Sequence, residues 1–211
     1  MDSSQSSPQR IIRLVRPSVV ILCGPAGCGK TTFAAGHFRQ TQILSSDHMR
    51  ALVCDQEADQ RFQSQAFALL HFLISQRLAI NRLCVVDSTA LTHAARRSLF
   101  EVARQHQAPA ALILFDVALE QCIARDAARE RSAGRLVIER QFQLFEQTKS
   151  AVQGESYSQM VELNEGEMER VKIEIVFRPL PRSRATEGPV RPKAMPREPD
   201  GAAGTQMPPH R

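Results

Sequence analysis

The chain has 211 residues, enough for one domain with a sizeable core, and 43% of them are hydrophobic, which excludes a chain disordered throughout and a membrane protein. The net charge of +5 admits an anionic partner, but the segment 179–211 holds six Arg/Lys against three Asp/Glu, so +3 of the +5 lies there. Residues 1–17 read as a flexible leader. From Ser18 short apolar runs alternate with helical periods. "SVVILC" is a buried strand by its β-branched content, and a helix is predicted over Lys30 to Gln40. "QILSSD" is a second, shorter strand. Asp59 to Ile80 has helical spacing, with Phe62, Ala66, Leu69, Leu70 and Leu73 on one stripe and Asp59 as its cap. "LCVVDST" is a third strand, Thr92 to Gln105 a helix and "AALILFDV" a fourth strand. Leu119 to Arg131 is helical and stops near Gly134. Ile138, Phe142 and Phe145 form a further stripe, and "RVKIEIVF" alternates as a last strand. After Phe177 the pattern collapses: eight of the chain's twelve prolines lie in 179–211, which is expected to be a disordered, basic, proline-rich tail.

No apolar run approaches the roughly 20 residues of a spanning helix. The start is too short and too interrupted in its apolar patch for a signal peptide, so a cytoplasmic protein is expected. The five cysteines contain no CxxC pair, and Cys23, Cys84 and Cys122 fall inside apolar segments, where cysteine acts as a small buried residue. The histidines show no ligand spacing and are assigned no metal.

The chemistry starts at "CGPAGCGKTTF". Gly24, Gly29, Lys30 and Thr31 satisfy G-x-x-x-x-G-K-[ST], the phosphate-binding loop. Its glycines turn the backbone so that several N–H groups point at one anion, and the following helix adds its positive end. Gly24, Pro25, Ala26, Gly27, Cys28, Gly29, Lys30, Thr31 and Thr32 therefore form the expected ATP site. Lys30 is placed on the β- and γ-phosphates and the Thr31 hydroxyl on Mg²⁺. The fold class that follows is α/β, a P-loop NTPase-type doubly wound and mainly parallel sheet of about five strands, with a helical arginine lid, over 18–178.

In such sheets ligands sit at the carboxyl ends of strands. Asp47, at the end of the second strand, is a candidate general base for an attacking hydroxyl. Arg50, three residues on, is a candidate to hold an acceptor phosphate. The alternative is that Ser46 or Asp47 only caps the next helix. Asp87 closes the apolar run of the third strand, the position of the acid that orders Mg²⁺ and its water. Arg125 and Arg129 lie one turn apart and suit a lid over the phosphates; the alternative is a solvated basic face. Arg96 and Arg97 read as a weaker pair, solvated or part of a basic channel with Arg50 and Arg61.

Together, "VILCGPAGCGKTTFA", "LSSDHMRALVCDQEADQ", "FALLHFLISQRLAINRLCVVDST" and "CIARDAARERS" resemble the kinase domain of bacterial polynucleotide kinase-phosphatase, within a group of P-loop phosphotransferases that includes zeta-type toxins. The resemblance spans about Ser18 to Lys149. It implies transfer of the ATP γ-phosphate to the 5′-hydroxyl of a DNA or RNA end. It matches Lys30 and Thr31 to the donor site, Asp47 to the base, Arg50 to the acceptor-phosphate grip, and Arg125 and Arg129 to the lid. Ala90 stands where the family pattern V-V-D-A-T-N has asparagine, and Asp126 follows Arg125 where the lid pattern has R-N. A kinase module without phosphatase or ligase modules is expected. Two other functions stay open: a kinase for a small acceptor such as a sugar, antibiotic or nucleotide sugar, and a non-catalytic ATP-binding adaptor whose tail recruits a partner.

Overall fold

The computed structural model describes residues 10–178. The expected tail, 179–211, lies outside the described residues, as does most of the expected leader. Five strands make one sheet: β2 (Val19–Cys23), β3 (Ile43–Ser45), β4 (Cys84–Asp87), β5 (Ala110–Asp116) and β6 (Gln159–Asn164), in the order β3-β4-β2-β5-β6. Every pairing is parallel. All five residues of β2 are buried, as a central strand covered on both faces requires.

Among the described residues seven α-helices fill the crossovers and flanks: α1 (Lys30–His37), α2 (Ser46–Cys54), α3 (Gln63–Ala79), α4 (His93–Gln105), α5 (Leu119–Ala127), α6 (Arg135–Ala151) and α7 (Glu165–Arg170). One face of the sheet, with Val20, Leu22, Val85 and Phe115, packs on Phe33 of α1 and Cys122 of α5. The other, with Val19, Ile21, Val86 and Leu112, packs on Leu70 and Ile74 of α3 and Leu99 of α4. Leu22 and Ser45 both stand opposite Asp87, so β2, β3 and β4 end level with one another. That shared edge carries the phosphate loop, Asp47 and Asp87.

The expected leader is corrected in part. Residues Ile11–Arg16 form a strand, β1, which pairs in parallel with β7 (Lys172–Phe177) in a separate two-stranded sheet. Ile12 and Leu14 point into the core while Ile11 and Arg13 face out. "RVKIEIVF" is thus a strand as read, but outside the main sheet. "QMVELN", which carries no signal in the reading above, supplies the edge strand β6. Ser46 and Asp47 belong to α2 rather than to the second strand, because Ser45 Oγ accepts the His48 N–H and starts the helix there. Asp59 caps a short 3₁₀ turn, Gln60–Phe62, ahead of α3.

Candidate active site

The loop between β2 and α1 is held in shape by its own glycines. Gly27 and Gly29 have φ of 78° and 95°, the left-handed region open to glycine. A Cβ on Gly27 would lie 2.1 Å from the Cys122 carbonyl oxygen, so α5 packs directly on bare backbone. The Gly24 N–H donates to the Thr89 carbonyl at 3.1 Å, tying the loop to the turn after β4. Sequence reasoning missed a second tie: the Ala26 N–H donates to Gln141 Oε1 of α6 at 2.7 Å.

Lys30 is buried, and its ammonium folds back over the loop, donating to the carbonyls of Gly24 at 2.8 Å and Pro25 at 2.7 Å. α1 begins at Lys30 with no side-chain cap and no acidic residue in its first turn. Its first amides and its positive end are therefore left for an anion. Thr31 Oγ1 donates to Asp87 Oδ2 at 2.8 Å. Burial pushes the Asp87 carboxyl above its ordinary value; the Thr31 bond and the Lys30 and Arg129 charges oppose this, and Asp47 adds to it. Two predicted sites on different elements, Asp47 and Arg129, are thus within electrostatic reach of Asp87. Among the described residues no group of three or more His, Cys, Asp or Glu could cage a metal. A hydroxyl beside one carboxylate instead fits a hard ion such as Mg²⁺, which completes its shell with water and ligand phosphates.

Asp47 is the second residue of α2, and Arg50 Nη1 donates to its Oδ1 at 2.8 Å. The two partners differ sharply in exposure, 63% for the Asp47 side chain and 2% for Arg50. Arg50 also donates to the Glu57 carbonyl and to Gln63 Oε1, while its buried Nε has no partner. It therefore fastens α2 to the start of α3 from beneath, with Asp47 above it facing solvent. Ser88 Oγ, next to Asp87, is likewise buried without a partner.

Arg125 Nη2 donates to Glu165 Oε1 at the start of α7, and its Nη1 lies 3.7 Å from where a Cβ on Gly29 would sit. Arg129 is exposed just past the end of α5. Asp126, the departure from the lid pattern, is buried and accepts from Ser132 Oγ at 2.6 Å and from the N–H groups of Ala133 and Gly134. Burial acts to raise its carboxyl, but those bonds and Arg129 outweigh it and hold it below the usual range. Its role is to close the loop that carries Arg129. Arg131 pairs with Glu57 at 3.0 Å. The reading of Arg96 as surface or channel is corrected: it is 1% exposed and bonded to Glu155. Arg61 and Arg97 are exposed.

This loop, on this sheet and beside this acid, defines a P-loop kinase fold. The chain belongs to the AAA domain family (AAA_33), a P-loop kinase domain whose model matches residues 19–150. No curated protein matches it by sequence. Among solved structures it is similar to a chain of the Pnkp1/Rnl/Hen1 RNA repair complex, with a TM-score of 0.56 and 18% identity, over 64% of this chain and 46% of that one. It thus spans under half the length of that neighbour. It is also similar to a candidate kinase from Chloroflexus aurantiacus j-10-fl, with a TM-score of 0.50 and 15% identity over 70% and 88% of the two chains. A gluconokinase from Sinorhizobium meliloti follows, with a TM-score of 0.49 and 16% identity over 74% and 87%. At these identities the likeness is one of fold. No helix among the described residues is long and apolar enough to cross a membrane.

Proposed function

We propose that the protein is an ATP-dependent phosphotransferase that moves the γ-phosphate to an alcohol, the 5′-hydroxyl of a DNA or RNA end. The observation that carries the transferase reading is the Asp47–Arg50 pair, set at the strand edge that also bears Asp87 and the phosphate loop. A protein that only held nucleotide would have no use for a solvent-facing carboxylate fixed there. The loop amides of 24–32 bind the phosphates, and Lys30 leaves its loop carbonyls for the β- and γ-phosphate oxygens. Thr31 and Asp87 are the residues that would hold Mg²⁺, which when bound would neutralise phosphate charge. Asp47 accepts the proton of the incoming hydroxyl as that oxygen bonds to the γ-phosphorus. The bond to the bridging oxygen breaks, and ADP leaves with that electron pair. Arg125 and Arg129 balance the charge on the transferring group. Arg50 orients Asp47 from beneath, with three of its five N–H groups already given to Asp47, Glu57 and Gln63.

The choice of acceptor rests on the motif resemblance. One observation favours a small acceptor instead: Arg50 and Arg96, half of the expected basic channel, are buried and paired. The test is incubation with γ-labelled ATP and Mg²⁺ over 5′-hydroxyl oligonucleotides, sugars and other small alcohols. Label in the oligonucleotide is the expected result. Label only in a small alcohol selects the second reading, and binding without label leaves an adaptor. A cytosolic setting is part of this proposal.

A further inference from the structure

The turn from Asp87 to Leu91 holds two parts of the nucleotide site together. Asp87 accepts from Thr31, and the Thr89 carbonyl accepts from Gly24, the first residue of the phosphate loop. The turn is not at rest by its own preference. Ala90 has a φ of 47°, which an alanine adopts only when its surroundings impose it, whereas asparagine or glycine does so readily. A buried cation grips the turn's carbonyls. Arg96 Nη1 donates to the carbonyls of Ala90 and Leu91, each at 2.9 Å. The Cys23 thiol reaches the same Ala90 oxygen at 3.4 Å, and Thr148 Oγ1 reaches that of Leu91 at 2.7 Å.

The guanidinium is itself fixed. Its Nε and Nη2 donate to Glu155, at 3.0 and 2.6 Å for the two oxygens, and Tyr157 Oη donates to Glu155 Oε2 at 2.7 Å. His93 Nδ1 lies 3.1 Å from Glu155 Oε1. Burial alone would raise the Glu155 carboxyl, but the bonds from Arg96, Tyr157 and His93 overcome it and hold it at about 2. The pair is therefore ionised through the whole physiological range.

We propose that Arg96 is a positioning residue of the nucleotide site: locked by Glu155, it holds the left-handed turn at Ala90 so that Thr89 meets Gly24 and Asp87 meets Thr31. The alanine at position 90 then makes the site dependent on the clamp, since the backbone shape is enforced from outside rather than chosen by the residue. This rests on the nucleotide-site reading above, so one readout is taken without nucleotide.

The variants are Arg96→Lys, Glu155→Gln, Ala90→Gly, and Arg96→Lys with Ala90→Gly; Arg104→Lys, exposed near the end of the same helix, is the control. Hydrogen–deuterium exchange of the peptides covering 19–33 and 87–95 is measured on the ligand-free proteins. Affinity for a fluorescent ATP analogue with Mg²⁺ is measured next. Arg96→Lys and Glu155→Gln are expected to speed exchange in 19–33 and to weaken the analogue roughly tenfold, as a displaced site does. Adding Ala90→Gly to Arg96→Lys is expected to recover most of that loss, because glycine enters the left-handed turn without the steric penalty that alanine carries. Arg104→Lys should change neither. Variants that melt lower yet keep both loop exchange and analogue affinity would overturn the proposal, and so would a glycine that rescues nothing. A wild type that fails to bind the analogue would instead sink the nucleotide reading, and the exchange result would still decide whether the clamp reaches the loop.

Discussion

Replacing Asp47 by asparagine separates its proposed proton-accepting role from its structural one. Asparagine keeps an oxygen for Arg50 Nη1, so the hydrogen bond at 2.8 Å survives while the charge goes. The ion pair itself is worth little, because the Asp47 side chain is 63% exposed and solvent screens it. Exposed pairs contribute about 0–1 kcal/mol. At about 2–4 °C per kcal/mol for a chain of this size, melting should move by no more than that. A positioned base, by contrast, contributes roughly 10²–10⁴ in rate, or about 3–5 kcal/mol of barrier. The chemical effect therefore exceeds the structural one several-fold. Removing the negative charge also relieves Asp87 of one influence that raises its carboxyl, so the metal side should not suffer. The assay is initial rate with γ-labelled ATP and whichever acceptor the panel identifies, beside an ATP-analogue titration. A fall in kcat of about 10²-fold or more with nearly unchanged affinity is expected. Turnover within about threefold of wild type would refute the base assignment.

Three further outcomes are expected. Lys30→Ala should weaken ATP-analogue binding and lower turnover together, and full activity would remove the loop from the mechanism. Asp87→Asn should abolish Mg²⁺-dependent transfer while raising the melting temperature at neutral pH. The sign follows from its raised carboxyl: the stability it contributes is present below the unfolded value of 3.8 and lost as pH rises through the folded one, so ionised Asp87 is a net cost at pH 7. A lower melting temperature for that variant would contradict the burial account. Leu14→Ala should cost about 2–5 kcal/mol in urea unfolding, because the side chain is 2% exposed in the core; a cost near zero would restore the leader reading.

What the sequence disclosed, and what it hid, has a physical pattern. Central parallel strands are buried on both faces, so β2, β4 and β5 read as continuous apolar runs, and Asp87 stands out against one of them. β1 hides because only Ile12 and Leu14 are inward, and Arg13 and Arg16 between and after them look like leader composition. α7 was not read, although the N-x-x-E spacing of Asn164 and Glu167, which bond reciprocally at its start as a capping box, is a signal that could have found it. The arginines were the harder problem. Charge is visible in a sequence, but whether a partner converges is not. Arg96 meets Glu155 across 59 residues, and Arg50 meets Gln63 across 13. The spacing that put Asp47 and Arg50 on one side of a helix was sound, yet it could not tell that one faces water and the other the interior.

Glu57 touches two neighbours with different parts of itself. Its main-chain oxygen serves Arg50, on the proposed hydroxyl-receiving side, and its carboxylate serves Arg131, which follows Arg125 and Arg129 of the proposed lid. On the proposed roles, closure of the lid would pull on the same residue that steadies Asp47, so the two substrates should sense each other through it. Reciprocity then demands that nucleotide favour acceptor by the same factor that acceptor favours nucleotide. Because both members of the Arg131–Glu57 pair are largely solvated, that mutual help is bounded at about 1 kcal/mol, roughly fivefold, and should fade as ionic strength rises.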